Sequence, residues 1–208
     1  MTSIRSFVKH LISQRQFITI VSGLPRSGTS MMMSALMAGG MQILTDGERQ
    51  ADENNPKGYY EYERVKQLSK GDFDWLELAR GKAVKVISAL LEYLPDDYQY
   101  RVIFMQRNMD EILRSQKRML GRTGVRSQQE VSEDQFRLSY QAHLSHIKTW
   151  LADQSFIKTL FVSYNDAVNQ PLHVFREVAY FLDAKVDPQA MTNIVDPTLC
   201  REKTNECH

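Results

Sequence analysis

The chain has 208 residues, of which 42% are hydrophobic and 25% charged, and its formal net charge is +1. That length suits a single domain over residues 1–208, and the near-zero charge excludes a dedicated nucleic-acid or polybasic membrane binder, whose affinity would need a cationic surplus. Cys200 and Cys207 are the only cysteines, which is too few for a disulfide framework and points to a reducing, cytoplasmic setting.

At the start of the chain Ile4, Phe7, Val8, Leu11 and Ile12 recur at helical spacing between Arg5, Lys9 and His10. This predicts an N-terminal helix over residues 1–16. It lacks the continuous apolar run of a signal peptide, and no later stretch approaches the length of a membrane span, so no stable membrane insertion is expected. Residues 17–22 (FITIVS) form a β-branched apolar run that stops at Gly23, the pattern of a strand buried on both faces. A helix over 29–38 ends at Gly39 and Gly40, a turn-rich loop spans 45–58, and a short helix over 61–68 carries Val65 and Leu68 inward. Two further strands, 83–87 (AVKVI) and 101–106 (RVIFMQ), enclose a turn at 94–97. Helices are predicted over 110–120 and 133–152, a fourth strand over 157–164, a helix over 172–182 behind Pro171, and a short helix over 188–194 in a C-terminal extension, 183–208. Strands alternating with helices predict an α/β fold, a three-layer domain of the P-loop type whose mainly parallel central sheet is flanked by helices.

Gly23, Leu24, Pro25, Arg26, Ser27, Gly28, Thr29 and Ser30 give the spacing GxxxxG followed by two hydroxyl residues. The segment leaves a buried strand and opens a helix, where unpaired backbone N–H groups and the helix dipole can hold phosphate oxygens. The nucleotide-hydrolysing form of this loop carries lysine where this chain has Thr29, and here the cation is Arg26 within the loop. A β/γ-phosphate with Mg²⁺ thereby loses its main side-chain clamp, and Arg26 is free to serve a group attached to a 5′-phosphate. Farther on, the strand 101–106 ends at Arg107, and Ser115 follows eight positions later on the next helix. An arginine at the carboxyl end of a parallel strand opens into the crevice where such sheets bind ligands, and the serine can share one phosphate with it.

With these two motifs the chain resembles the superfamily of sulfotransferases that depend on 3′-phosphoadenosine 5′-phosphosulfate (PAPS). The resemblance covers about residues 17–182 and includes Val162 to Asp166 and Phe181-Leu182. The form Pro25-Arg26-Ser27-Gly28-Thr29 looks most like the protein-tyrosine sulfotransferases and bacterial relatives. The resemblance implies that Gly23, Pro25, Arg26, Ser27, Gly28, Thr29 and Ser30 bind the 5′-phosphosulfate, that Arg107 and Ser115 bind the 3′-phosphate, and that the desulfated bisphosphate PAP is the product. It departs in one respect: cytosolic sulfotransferases carry a late glycine-rich loop, and this chain has no glycine after Gly124.

Sulfonate transfer needs a deprotonated acceptor and neutralisation of the charge that grows on the bridging oxygen. Arg26 is expected to act there electrostatically, because a guanidinium does not give up its proton. Two carboxylates compete for the role of general base. Glu48, in Gly47-Glu48-Arg49, resembles the Gly-Glu segment of the protein-tyrosine enzymes, and Glu61 follows Gly58-Tyr59-Tyr60. Tyr59, Tyr60, Tyr62, Phe73 and Trp75 either wall an acceptor pocket or belong to the core. Lys85 alternates with Val84 and Val86 and is expected at a sheet edge or strand end. His143 and His146 lie three apart on a predicted helix without a matching cluster of other ligands, so they read as a solvated face and no metal is expected. The expected partner is a hydroxyl or amine acceptor belonging to a small molecule, a glycan or a peptide, with no nucleic acid. Two other functions fit parts of the pattern: a Mg²⁺-dependent P-loop nucleotide kinase, on residues 159–164 followed by Asp166, and a non-catalytic PAP-binding protein.

Overall fold

Every residue of the first strand, β1 (Ile18–Gly23), is buried, because the strand sits at the centre of the sheet and both its faces are covered. The computed structural model describes residues 16–47, 58–123, 132–183 and 186–196. The helix expected over 1–16 (all but its last residue), the candidate base Glu48 and the whole tail after 196 lie outside the described residues. Five strands pair in parallel in the order β2-β3-β1-β4-β5, with β2 at Ile43–Leu44, β3 at Ala83–Lys85, β4 at Tyr100–Gln106 and β5 at Ile157–Ser163. The two-residue β2 was not expected from the sequence: Ile43 and Leu44 are too few to show a period, and only pairing with Ala83 and Val84 makes them a strand.

Alternation along the strands feeds two cores. On one face Val21, Ile103 and Met105 pack with Met32, Leu36 and Phe175. These come from helix α1 (Thr29–Ala38) and helix α6 (Pro171–Phe181). On the other face Ile20, Val102 and Phe104 pack with Trp75, Leu91 and Ile147. They come from near α2 (Leu76–Ala79), from a 3₁₀ segment (Ser88–Tyr93) and from α4 (Glu133–Asp153). Full burial of such a side chain contributes about 1.5–3 kcal/mol, so two apolar layers stabilise the sheet from both faces. The sandwich has three layers, as the alternation of elements predicted.

The remaining elements are α3 (Met109–Thr123), α5 (Tyr164–Asn169) and α7 (Pro188–Thr192). Helix α4 starts where the sequence says it should, at a reciprocal cap: Gln135 N donates to Ser132 Oγ at 3.2 Å and Ser132 N donates to Gln135 Oε1 at 3.1 Å. Several expectations change. The segment expected as a helix over 61–68 is a 3₁₀ helix, Glu63–Lys70, and Tyr164 belongs to α5 rather than to the fourth predicted strand. Trp75 and Tyr59 are buried, with Tyr62 and Phe73 packed against the second core, so of the five aromatics proposed for an acceptor wall Tyr60 is the one that packs on the other cluster. Of the two places expected for Lys85, a sheet edge or a strand end, it takes the second: β3 is an inner strand, and the lysine stands at its carboxyl end. Among the described residues no helix is long and apolar enough to cross a membrane.

Candidate active site

Strand register sets the site. Gly23 pairs with Met105, Val21 with Lys85 and Gln106 with Ser163, so β1, β3, β4 and β5 deliver their carboxyl ends to one edge of the sheet. The chain passes β1 on to one side and later returns to its other side as β4, and the crevice of such a sheet opens at that reversal. The loop 24–28 lies there, directly above β1.

Two glycines make the loop fit. A Cβ at Gly23 would stand 2.6 Å from the Met105 carbonyl oxygen, and one at Gly28 would run into the Tyr164 ring. Gly28 has φ 102° and caps α1, a conformation that side chains resist. Arg26 also has positive φ, 71°, a strained state that costs an ordinary residue about 1–2 kcal/mol and needs its surroundings to hold it. The first bond of α1 runs from Met32 N to the Gly28 carbonyl at 3.1 Å, so the preceding amides of the first turn have no partner within the helix and face the crevice end. Thr29 and Ser30 occupy that turn. Pro25 is exposed. Ser27 is 1% exposed, its hydroxyl lies on the Gly23 side of the loop, and its amide donates to the Leu24 carbonyl at 3.2 Å.

On the β4 flank the predicted residues converge. Arg26 Nε donates to Ser115 Oγ at 3.0 Å, and Arg107 Nη1 donates to the Arg26 carbonyl at 3.2 Å. The two basic residues, 81 positions apart, therefore open to the same place. Arg107 is further fixed by Glu111, whose Oε2 accepts from its Nε at 2.8 Å, and by the Tyr164 ring, 4.2 Å from the guanidinium carbon. Asn165 Nδ2 donates to the other oxygen of Glu111 at 3.4 Å.

The β3 flank carries Lys85, which sequence reasoning did not assign to the site. Its Nζ donates to Ser30 Oγ at 3.3 Å and to the Tyr59 carbonyl at 3.0 Å, and lies 3.8 Å from Glu61 Oε1. Glu61 is held through its backbone, whose carbonyl accepts from Thr45 Oγ1 at 2.8 Å and from Asp46 N at 3.3 Å. Tyr60 beside it has φ 53°. The residue next to the loop position that lost its lysine, Ser30, is thus met by a lysine from the neighbouring strand. One signal existed: a lysine inside an otherwise apolar strand must reach a polar partner. Glu111, Tyr164 and Asn165 were also missed as site residues, although the i,i+4 spacing of Arg107 and Glu111 was readable as an ion pair.

His143 and His146 do not join this site. A 2.8 Å hydrogen bond links His143 Nε2 to Ser88 Oγ, and another of 2.8 Å links His146 Nε2 to Glu92 Oε1. Both pairs tie α4 to the 3₁₀ segment beside it. Burial holds the His143 imidazole below its ordinary pKa. Among the described residues no group of three or more His, Cys, Asp or Glu is arranged to hold a metal.

The Sulfotransferase domain family model matches residues 18–207. The chain belongs to this family, and its function is sulfotransfer. The sulfotransferase fold is found again in solved structures. The sulfotransferase domain from the curacin biosynthetic pathway is 13% identical with a TM-score of 0.51, over 93% of this chain and 94% of that one. Sulfotransferase STF1 from Mycobacterium tuberculosis H37Rv is 16% identical with a TM-score of 0.59, over 90% of this chain and 74% of that one. No curated protein matches the chain. At these identities the solved structures speak for the fold, while the family match carries the sulfotransferase assignment.

Proposed function

We propose that this sulfotransferase takes PAPS as its donor and passes the sulfonate to a hydroxyl or amine of a small-molecule, glycan or peptide acceptor. The observation that carries the reading is the convergence of Arg107 and Ser115 on Arg26, which is hydrogen-bonded to both. A donor with phosphate groups at two ends fits two arginines on one crevice. The steric limits at Gly23 and Gly28 fit a loop whose amides approach an anion closely.

In this reading the loop amides, Thr29 and Ser30 hold the 5′-phosphosulfate, and Arg107 with Ser115 holds the 3′-phosphate. Acceptor oxygen or nitrogen attacks sulfur, the bond from sulfur to the bridging oxygen breaks, and that oxygen stays on the departing PAP. Charge growing on it is met by Lys85 and Arg26, both fixed before the reaction, so no reorganisation is needed in the transition state. A carboxylate takes the acceptor's proton. Glu61, which sits beside Lys85, and Glu48 are the two candidates for this role. The Mg²⁺ kinase alternative gains nothing from Asp166, which lies inside α5 with its amide capped by Ser163 Oγ at 3.2 Å, not at a strand end.

Thermal shift tests the donor. Adenosine 3′,5′-bisphosphate at 100 times its Kd should stabilise the protein by about 2.7 kcal/mol, and ATP with Mg²⁺ should do much less. Labelled-sulfonate transfer to a panel of acceptors then tests catalysis, with Arg26→Ala expected to lose about 100-fold or more in turnover. Stabilisation by ATP–Mg²⁺ alone would overturn the donor assignment. Bisphosphate binding without turnover on any acceptor class would make the chain a binding protein.

A further inference from the structure

Glu111 is the most deeply buried charged side chain among the described residues, 1% exposed. A carboxylate so placed is costly to desolvate unless it is well paired. Its position is stranger still if a phosphate binds nearby, because two anions then share one low-dielectric corner. The geometry around Arg107 explains why it is there. One face of the guanidinium is covered by Tyr164, Nη1 is tied to the Arg26 carbonyl, and Glu111 takes Nε. Among the described residues no acceptor meets Nη2. The guanidinium is thereby held in one orientation, with Nη2 and the second N–H of Nη1 left to form the fork that matches two phosphate oxygens. Ser115 lies one turn beyond Glu111 on α3 and accepts Arg26 Nε. One helix face thus anchors both arginines through their Nε atoms.

We infer that Glu111 is a positioning residue that aims Arg107, and that this sets the protein's preference for a 3′-phosphorylated adenine nucleotide over its 3′-hydroxyl counterpart. The inference rests on the donor reading above. It also makes a prediction opposite in sign to simple electrostatics. Neutralising Glu111 raises the local positive potential, which by itself would strengthen phosphate binding. Loss of orientation weakens it instead.

The test is a calorimetric comparison of adenosine 3′,5′-bisphosphate with adenosine 5′-monophosphate on wild type, Glu111→Gln, Glu111→Asp and Asn165→Ala. Glu111→Gln should reduce the preference for the bisphosphate by about ten-fold or more, in the range expected for a lost charge-assisted hydrogen bond. Affinity for the monophosphate should stay within about two-fold, a split that general loosening of the fold would not produce. Asn165→Ala keeps the Arg107–Glu111 pair and should lower the preference less. If Glu111→Gln fails to fold, Glu111→Asp and Asn165→Ala decide. An unchanged or increased preference in a folded Glu111 variant overturns the inference, as does an unchanged preference in both Glu111→Asp and Asn165→Ala. A wild-type protein that does not prefer the bisphosphate at all would instead sink the donor reading beneath it.

Discussion

On the β4 flank of the loop the polar partners come from the strand end and the helix that follows it, together with two residues after β5. On the β3 flank Ser30, Lys85, Tyr59 and Glu61 come from the start of a helix, the end of a strand and a connecting segment. The first flank is buried and tightly paired: the side chains of Arg107 and Glu111 are 8% and 1% exposed. The second is more open, with Glu61 29% exposed and its carboxylate 3.8 Å from the lysine. A desolvated pair fixed through Arg107 Nε and Nη1 is suited to holding one ligand group in one geometry. A more exposed carboxylate beside its lysine leaves room for different acceptors. The contrast suggests a division of labour in which the β4 flank grips the donor and the β3 flank carries out the transfer.

The sharpest way to break this division is at the base. Glu61→Gln should lower turnover by about 100- to 10,000-fold while the Kd for adenosine 3′,5′-bisphosphate holds, read by single-turnover transfer beside calorimetry. If Glu48→Gln gives the loss and Glu61→Gln does not, the base belongs to the segment after Gly47. Next in size, Lys85→Met should reduce turnover by about 100-fold with bisphosphate affinity changed only a few-fold. An equal collapse of both quantities would mean that the β3 flank also grips the donor. The smallest effect lies away from the site and serves as its control. The His143 imidazole is held below its ordinary pKa of 6.5, first by desolvation, so the folded protein resists a proton that the unfolded chain accepts. Its contribution to stability is therefore present above pH 6.5 and is lost as pH falls towards the folded pKa. His143→Gln should shrink the drop in Tm between neutral pH and about pH 5, with bisphosphate affinity untouched. A steeper drop would mean that other groups govern acid stability.

Much of this molecule was written locally. The run 17–22, the loop from Gly23 to Ser30 and the helix after it are legible because a buried strand, a glycine-bearing turn and a helix start each have their own composition. Arg107 was legible as an arginine at a strand end and Ser115 as a hydroxyl on the helix that follows, while their joint role on one phosphate came from the family resemblance. The serine cap of α4 and the proline start of α6 were equally local. Glu48 and Glu61 could both be named from sequence as competing bases but not separated, since a glutamate in a loop looks the same wherever the loop folds.

The sequence by itself determined an α/β chain with a phosphate-type loop after its first strand and an arginine after a later one, because strand burial, turn chemistry and helix periodicity depend on neighbours a few residues apart. Tertiary structure alone decided that β3 is internal, which turns Lys85 from a strand-end cation into the partner of Ser30 and Glu61. It also decided that Glu111, Tyr164 and Asn165 enclose Arg107. Those contacts span 24 to 55 residues in the chain for Lys85 and 54 between Glu111 and Asn165. No local propensity encodes them. They arise from sheet order and register, which are settled when two apolar layers close on the strands.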